Sequence, residues 1–248
     1  MAESGLRHLV ANEAWGLKLP PKVQILLSPP LRLICMHQLL NKIITSKKPS
    51  TVMLENQTEL YRIAPEIAAL HGRIQPPQWH PEGTVDVHIQ LVVDRAVELG
   101  ADAKVVWGAF IHDLGKGITP EAELPHHFAH EALGVPLVRT LGERLGVQEN
   151  WIIFGQLCAK EHLNIHKFYD LRPVKKVDLI FRLGEYVADV ALVAQADAQG
   201  RGPTLVDKPY PQRQAVIDAW NIIREITHEN PENQRRLRAK AIAGKFGK

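Results

Sequence analysis

The stretch Gly108–Gly117, GAFIHDLGKG, decides how this chain is read. It closes an apolar run that begins near Ala103, sets His112 and Asp113 at the end of that run, and places glycines at 115 and 117. A neutral imidazole beside a carboxylate is an ordinary ligand combination for a divalent ion, one giving a nitrogen and the other a charged oxygen. Successive helical residues point about 100° apart. The pair therefore cannot enclose an ion alone, and further ligands have to come from other helices.

The flanking sequence is rich in them. Of twelve histidines, eight lie between residues 80 and 166: His80, His88, His112, His126, His127, His130, His162 and His166. On the N-terminal side, Thr84–Leu99 has helical spacing, with Val85, His88, Leu91, Val92, Ala96 and Leu99 on one stripe, so His88 faces inward. The helix holding the pair, about Ala103–Leu114, is nearly all apolar and expected to be central. Gly115 and Gly117 are expected to end it, leaving Lys116 exposed on a tight turn. An ammonium held there suits a phosphate ligand, or simply rests in solvent where the helix dipole favours it.

Beyond a loop at Pro120–Pro125, Ala129–Leu145 reads as a helix with His130 near its start, and Glu149–Leu163 as one ending in Glu161 and His162. After a loop, helices are expected over Val174–Leu183 and Glu185–Gln199. An aspartate in that last apolar helix is costly unless paired or on a metal, which makes Asp197 the expected closing ligand. Arg201 follows it as a second phosphate candidate. Helices over Pro211–Ile226 and Pro231–Ile242 finish the chain. No alternating strand pattern persists, so the fold class is all-α.

Upstream, residues 1–75 read as a helical N-terminal lobe punctuated by Pro20–Pro21 and Pro29–Pro30. It has a helix to about Ile44, a loop at Ser46–Ser50 and a broken helical pattern over Thr51–Leu70. Gln75–Pro81 (QPPQWHP) is expected to be a rigid, extended linker in which His80 fixes the chain. The domain boundary falls there, giving a 1–75 lobe and a 76–248 domain.

Composition excludes several classes. Hydrophobic residues at 45% and charged residues at 23% suit a soluble globular protein. A net charge of +3 does not demand a polyanionic partner. The last fourteen residues carry six Lys or Arg and no acid, which reads as a solvated, frayed terminus or as a contact for nucleic acid. Two cysteines, Cys35 and Cys158, argue against a disulfide scaffold and fit the cytoplasm. Prolines and charges interrupt Val23–Ile44, so no membrane span is expected. The five tryptophans are expected to be core or interface anchors.

Together, His88, His112–Asp113, His130, His162 and Asp197 resemble the ligand pattern of the HD-domain superfamily of metal-dependent phosphohydrolases. A closer resemblance runs over Leu60–Gly202. There QWHPEGTVDVH, HDLGKGITPEAELPHHFAHEALG and ADAQGR are similar to the C-terminal HD domain of bacterial tRNA CCA-adding enzymes. The resemblance implies an HD-domain helical bundle with a small helical N-terminal extension. It implies one or two divalent ions (Ni, Mn, Mg, Fe, Co or Zn) held by His88, His112, Asp113, His130, His162 and Asp197. Asp113 and Lys116 would be catalytic, with substrate contacts from Lys116, His127 and Arg201. His127, His126 and Glu131 are all candidates to protonate the leaving oxygen. The expected partner is a small nucleotide, and the expected reaction is hydrolysis of nucleotide phosphate esters such as 2′,3′-cyclic or 2′-nucleotides. The alternatives are a different HD nucleotidase acting on nucleoside mono- or triphosphates, and a non-catalytic tRNA- or RNA-binding relic. No Gly-rich turn followed by Asp-x-Asp is present, so nucleotide addition is not expected.

Overall fold

The computed structural model describes residues 29–247, with side chains from residue 36; the expectations for residues 1–28 lie outside this span. Among the described residues the regular structure is helical, with one isolated antiparallel bridge between Ile74 and Thr84. In chain order the α-helices are α1 (Pro29–Ile44), α2 (Pro49–Glu55), α3 (Gln57–Ile63), α4 (Pro65–Ala68), α5 (Val85–Glu98), α6 (Ala103–Ile111), α7 (His130–Leu145), α8 (Glu149–His166), α9 (Pro173–Leu183), α10 (Val187–Gln199), α11 (Gln212–Arg224) and α12 (Pro231–Phe246).

Helix α6 lies at the centre, as its composition requires: every residue from Val105 to Ile111 is buried. Asp102 caps it, its side chain accepting from the Val105 amide at 2.9 Å. Fully burying Phe110 or Ile111 contributes about 1.5–3 kcal/mol apiece. Trp107 is equally buried and donates from its indole nitrogen to the Trp151 carbonyl at 3.0 Å, tying α6 to α8. Helix α8 packs on α6, α7 and α10, and α10 packs on α5, α6 and α11. The helix ends that carry His112–Asp113, His130, His162 and Asp197 thus meet around α6.

Residues 39–70 join the same hydrophobic core as the later helices, through Leu39, Ile43, Leu60, Ile67 and Leu70 among others. Asp94 on α5 fastens the start of α2, accepting from the Ser50 amide (3.0 Å) and hydroxyl (2.5 Å) while pairing with Lys48 (2.8 Å).

Several expectations are corrected by the structure. Pro49 and Ser50 open α2 and are not loop. The segment after Ile74 is not an extended linker. It folds back on itself, with the Trp79 and His80 amides both donating to the Pro76 carbonyl at 3.0 Å. The α6 helix stops at Ile111, and Leu114–Ile118 is a 3-10 turn. Neither Gly115 nor Gly117 has a positive φ. Gly115 is instead required by close approach, since a Cβ there would lie 1.9 Å from the His130 carbonyl oxygen. Helix α8 runs three residues past the expected Leu163, to His166. The basic C-terminal segment is no frayed tail, for α12 packs on α9 and α11. There Arg235 pairs with Asp178 at 2.8 Å and the Arg238 guanidinium covers the Phe181 ring at 4.5 Å.

Candidate metal centre

Four imidazoles converge on one carboxylate, and the backbone dictates how each presents itself. His112 folds its ring onto the last turn of α6, with Nδ1 2.8 Å from the Ala109 carbonyl. At the start of α7, His130 Nδ1 lies 2.7 Å from the His127 carbonyl. Within α8, His162 Nδ1 lies 3.0 Å from the carbonyls of both Cys158 and Ala159. A carbonyl only accepts, so each Nδ1 carries the hydrogen and each Nε2 is left with a lone pair. His88 on α5 differs: its Nδ1 comes within 2.7 Å of Glu82 Oε1 as an ion-pair contact without hydrogen-bond geometry.

Those lone pairs point at Asp113. The Nε2 atoms of His112 and His88 are 3.3 and 3.6 Å from Asp113 Oδ2, and those of His130 and His162 are 3.4 and 3.6 Å from Oδ1. His88 Nε2 is also 3.1 Å from Asp197 Oδ1. Lone pairs facing an ionised carboxylate repel, and a buried polar atom without a partner is costly. Yet both ring nitrogens of His88, His112 Nε2, His130 Nε2 and Asp113 Oδ1 are buried and make no hydrogen bond. A cation between them removes the conflict. Donors bound at about 2.1 Å to a shared ion stand roughly 3.0–3.4 Å apart, close to the observed separations. His88, His112 and Asp197 form one group that could hold a divalent ion, and His112, Asp113 and His162 another.

A third cluster, His80, Glu82 and His88, has a different character. Glu82 Oε1 lies 2.8 Å from His80 Nδ1 and 2.7 Å from His88 Nδ1. Those separations are too short for two ligands of one ion and suit hydrogen bonds. Burial would raise the Glu82 pKa, but the hydrogen bond with His80 and the close His88 ring bring it down to about 2. Burial pushes His80 down to about 4. Glu82 is therefore an anionic clamp for the far side of the His88 ring, the arrangement that fixes ring orientation in histidine metal sites.

Burial opposes ionisation of Asp113, yet the Lys116 ammonium 2.6 Å away holds it well below the usual carboxylate range. Burial likewise opposes Asp197, which Arg201 and His166 hold well down. Burial pushes His162 well below 6.5, keeping it neutral as a ligand must be. Against its own burial His112 is raised by Asp113, so a proton competes with a cation for that nitrogen.

The other sequence candidates fall around this centre. Lys116 is buried, not exposed on a turn, and donates to Asp113 and to Gln75 Oε1 at 2.8 Å. Arg201 donates to Asp197 Oδ1 at 2.8 Å and to the Asp197 and Trp79 carbonyls at 3.1 and 3.3 Å. His127 has both nitrogens engaged, Nδ1 with the Thr119 hydroxyl (2.7 Å) and Nε2 with the Ile74 carbonyl (3.0 Å). His126 stacks on Phe128, and Glu131 lies 3.8 Å from His130 Nδ1. His80 does more than fix the chain, because its ring meets that of His88 edge-on at 4.8 Å.

Three participants escaped sequence reasoning: Gln75, Glu82 and His166. His166 Nε2 lies 2.7 Å from Asp197 Oδ2 and its Nδ1 2.7 Å from the Tyr210 hydroxyl. Its signal was the four-residue spacing from His162, which puts both on one face once α8 is carried to its true end. Asp197 Oδ2 is thereby occupied, leaving Oδ1 toward the cluster. Gly200 allows this placement, because a Cβ there would lie 2.8 Å from the Val92 backbone on α5.

The cluster lies at a cleft of about 800 Å³, lined by His130, His162, His166, Asp197, Lys116 and Arg201, with Trp79, Phe128, Lys167 and Lys208 among the other residues bordering it. That volume is in the range that takes a nucleotide-sized ligand.

Residues 85–195 match the HD domain family. The chain is similar to proteins described as "Multifunctional CCA protein". That of Vibrio vulnificus (strain YJ016) is 38% identical over 163 residues, covering 64% of this chain and 40% of the relative. That of Vibrio campbellii is 32% identical over 228 residues, covering 84% and 55%. That of Alkalilimnicola ehrlichii is 36% identical over 173 residues, covering 68% and 42%. The chain thus spans about half or less of the length of these relatives.

Proposed function

We propose, from the match of residues 85–195 to the HD domain family, that the protein is a metal-dependent phosphohydrolase acting on nucleotide phosphate esters, with 2′,3′-cyclic and 2′-nucleotides as the substrates to try first. The observation that carries this reading is the convergence of four histidine Nε2 atoms on the Asp113 carboxylate beside a nucleotide-sized cleft. His88, His112, Asp113 and Asp197 would hold one divalent ion, and Asp113 would reach a second carried by His130 and His162. Nitrogen and oxygen ligands together admit Ni, Mn, Mg, Fe, Co or Zn. When bound, such an ion supplies a Lewis acid and lowers the pKa of water toward neutrality.

The chain's own side chains supply the rest. Lys116 has three N–H donors and spends two, on Asp113 and Gln75; the third is available to a phosphate oxygen. Arg201 is fixed by three hydrogen bonds and keeps further N–H groups for the same purpose. Both cations border the cleft, where fixed charge favours a dianionic phosphorane-like transition state over a monoanionic diester. His127, tied at both nitrogens, serves as a brace for the cleft wall. Holding these groups beforehand spares the cost of arranging them during reaction.

The test is hydrolysis of 2′,3′-cyclic AMP and a panel of nucleoside mono- and triphosphates with added Ni, Mn or Mg, comparing wild type with Asp113→Ala. Metal-dependent turnover that falls by about 100-fold or more in a folded Asp113→Ala protein is the expected result. A preference for mono- or triphosphates would select the other nucleotidase reading. Absence of turnover, with RNA affinity that drops steeply with salt and survives Asp113→Ala, would replace the enzyme with an RNA-binding module.

A further inference from the structure

We propose that Trp79 and Phe128 form a nucleobase-stacking edge on the cleft, a base-recognition subsite separate from the groups that meet the phosphate. The inference deepens the phosphohydrolase reading and rests on it for the position of the phosphate. Trp79 and Phe128 are the most exposed large apolar side chains among the described residues, at 65% each, and both border the cleft. None of the other strongly exposed large apolar residues does. Of the core or interface roles expected for the tryptophans, Trp79 therefore does not fill the core one. Leaving two aromatic faces in water forgoes the burial that usually stabilises them, and their placement beside cationic groups matches a ligand with an anionic end and a flat π face.

The two aromatics stand on different segments that the fold ties together. Trp79 sits in the turn closed by the Ile74–Thr84 bridge, and its carbonyl accepts from Arg201, which also holds Asp197. Phe128 lies between His126, whose ring stacks on it at 5.7 Å and 22°, and Ala129. Ala129 has a left-handed φ of 56°, a conformation that costs a non-glycine residue about 1 kcal/mol or more. His130 follows directly. His127 then bridges the segments, one nitrogen on the Ile74 carbonyl and the other on Thr119, whose hydroxyl also accepts from Arg73. Each aromatic is thus held near the histidine cluster: Trp79 adjoins His80, whose ring meets that of His88, and Phe128 lies two residues before His130. Stacking of a base on an aromatic side chain tolerates any base, so this edge selects for a nucleobase without selecting which one.

The experiment compares wild type, Trp79→Ala, Trp79→Phe and Phe128→Ala on two substrates: adenosine 2′,3′-cyclic phosphate and the base-free methyl riboside 2′,3′-cyclic phosphate. The readout is the ratio of kcat/KM for the nucleotide to that for the base-free ester. Trp79→Ala should lower this ratio by about 5- to 150-fold, chiefly through KM for the nucleotide, with a smaller loss in Phe128→Ala and most of the ratio retained in Trp79→Phe. A ratio within twofold of wild type in both alanine variants overturns the proposal. Should the protein turn over neither ester, the hydrolase reading fails separately. The stacking edge is then read by calorimetric binding to the Mn-loaded protein, as the affinity for adenosine 2′-monophosphate relative to methyl riboside 2-phosphate. Tighter binding of the nucleotide that Trp79→Ala abolishes supports the edge, and equal affinities overturn it.

Discussion

At the scale of single residues, the separations between heteroatoms sort the histidine cluster into two chemistries. Around Asp113 and Asp197 the histidine Nε2 contacts of His88, His112, His130 and His162 are 3.1–3.6 Å, while around Glu82 the Nδ1 contacts are 2.7–2.8 Å. The first set suits an ion between donors and the second a shared proton. Glu82 is therefore a positioning residue: its carboxylate lies against the Nδ1 side of the His88 ring and leaves Nε2 toward Asp113 and Asp197. Glu82→Ala should weaken divalent metal affinity by about 10- to 100-fold, and Glu82→Gln, which keeps one acceptor, by less. Competition titration against a chelating indicator measures this, and equal affinity in the alanine variant would remove the role. At this scale the sequence was informative where residue type and helical spacing sufficed, as for His88, His112, Asp113 and Asp197. It was silent on Glu82 and Gln75, which lie in a proline-rich turn whose folding back no periodicity announces. Lys116 was misplaced for a related reason, since a lysine between two glycines gives no hint that Gln75, 41 positions earlier, will cover it.

At the scale of elements, the apolar periodicity identified the helices that carry the site, and their ends were what it missed. A stripe of buried residues persists through a helix but stops wherever packing stops, so α8 could continue three residues to bring His166 onto Asp197. The 3-10 turn after His112 was read as an ordinary glycine-terminated helix end because glycine has two uses, positive φ and close approach, that look alike in sequence. Gly115 belongs to the second. A methyl group there would overlap the His130 carbonyl, which α7 cannot withdraw without moving the His130 ring as well. Gly115→Ala should destabilise the protein by about 3 kcal/mol or more, lowering Tm by roughly 6–12 °C. Differential scanning calorimetry checks this, and a Tm within 2 °C of wild type would contradict the close-approach account.

At the scale of the molecule, a core of buried apolar residues runs from Leu39 to Ile242 and holds four ligand-bearing helices, α5, α7, α8 and α10, around the end of α6. The all-α architecture was legible in the absence of strand alternation and in the apolar α6. The boundary expected beside Gln75 falls on a turn whose neighbours share that one core, because interhelical packing between segments far apart in sequence leaves no local mark. Among the described residues no helix is long and apolar enough to cross a membrane. The central claim is that this bundle exists to hold divalent metal between Asp113 and its four histidines, and metal analysis tests it most directly. Purified wild type and Asp113→Ala would be dialysed with Mn, Ni or Zn, freed of excess ion, and measured by mass spectrometry of the metal content. The account predicts one to two equivalents in the wild type, lost with EDTA and lost in a folded Asp113→Ala protein. A folded wild type that retains none of the three ions, or an Asp113→Ala variant that binds as much as wild type, would contradict it.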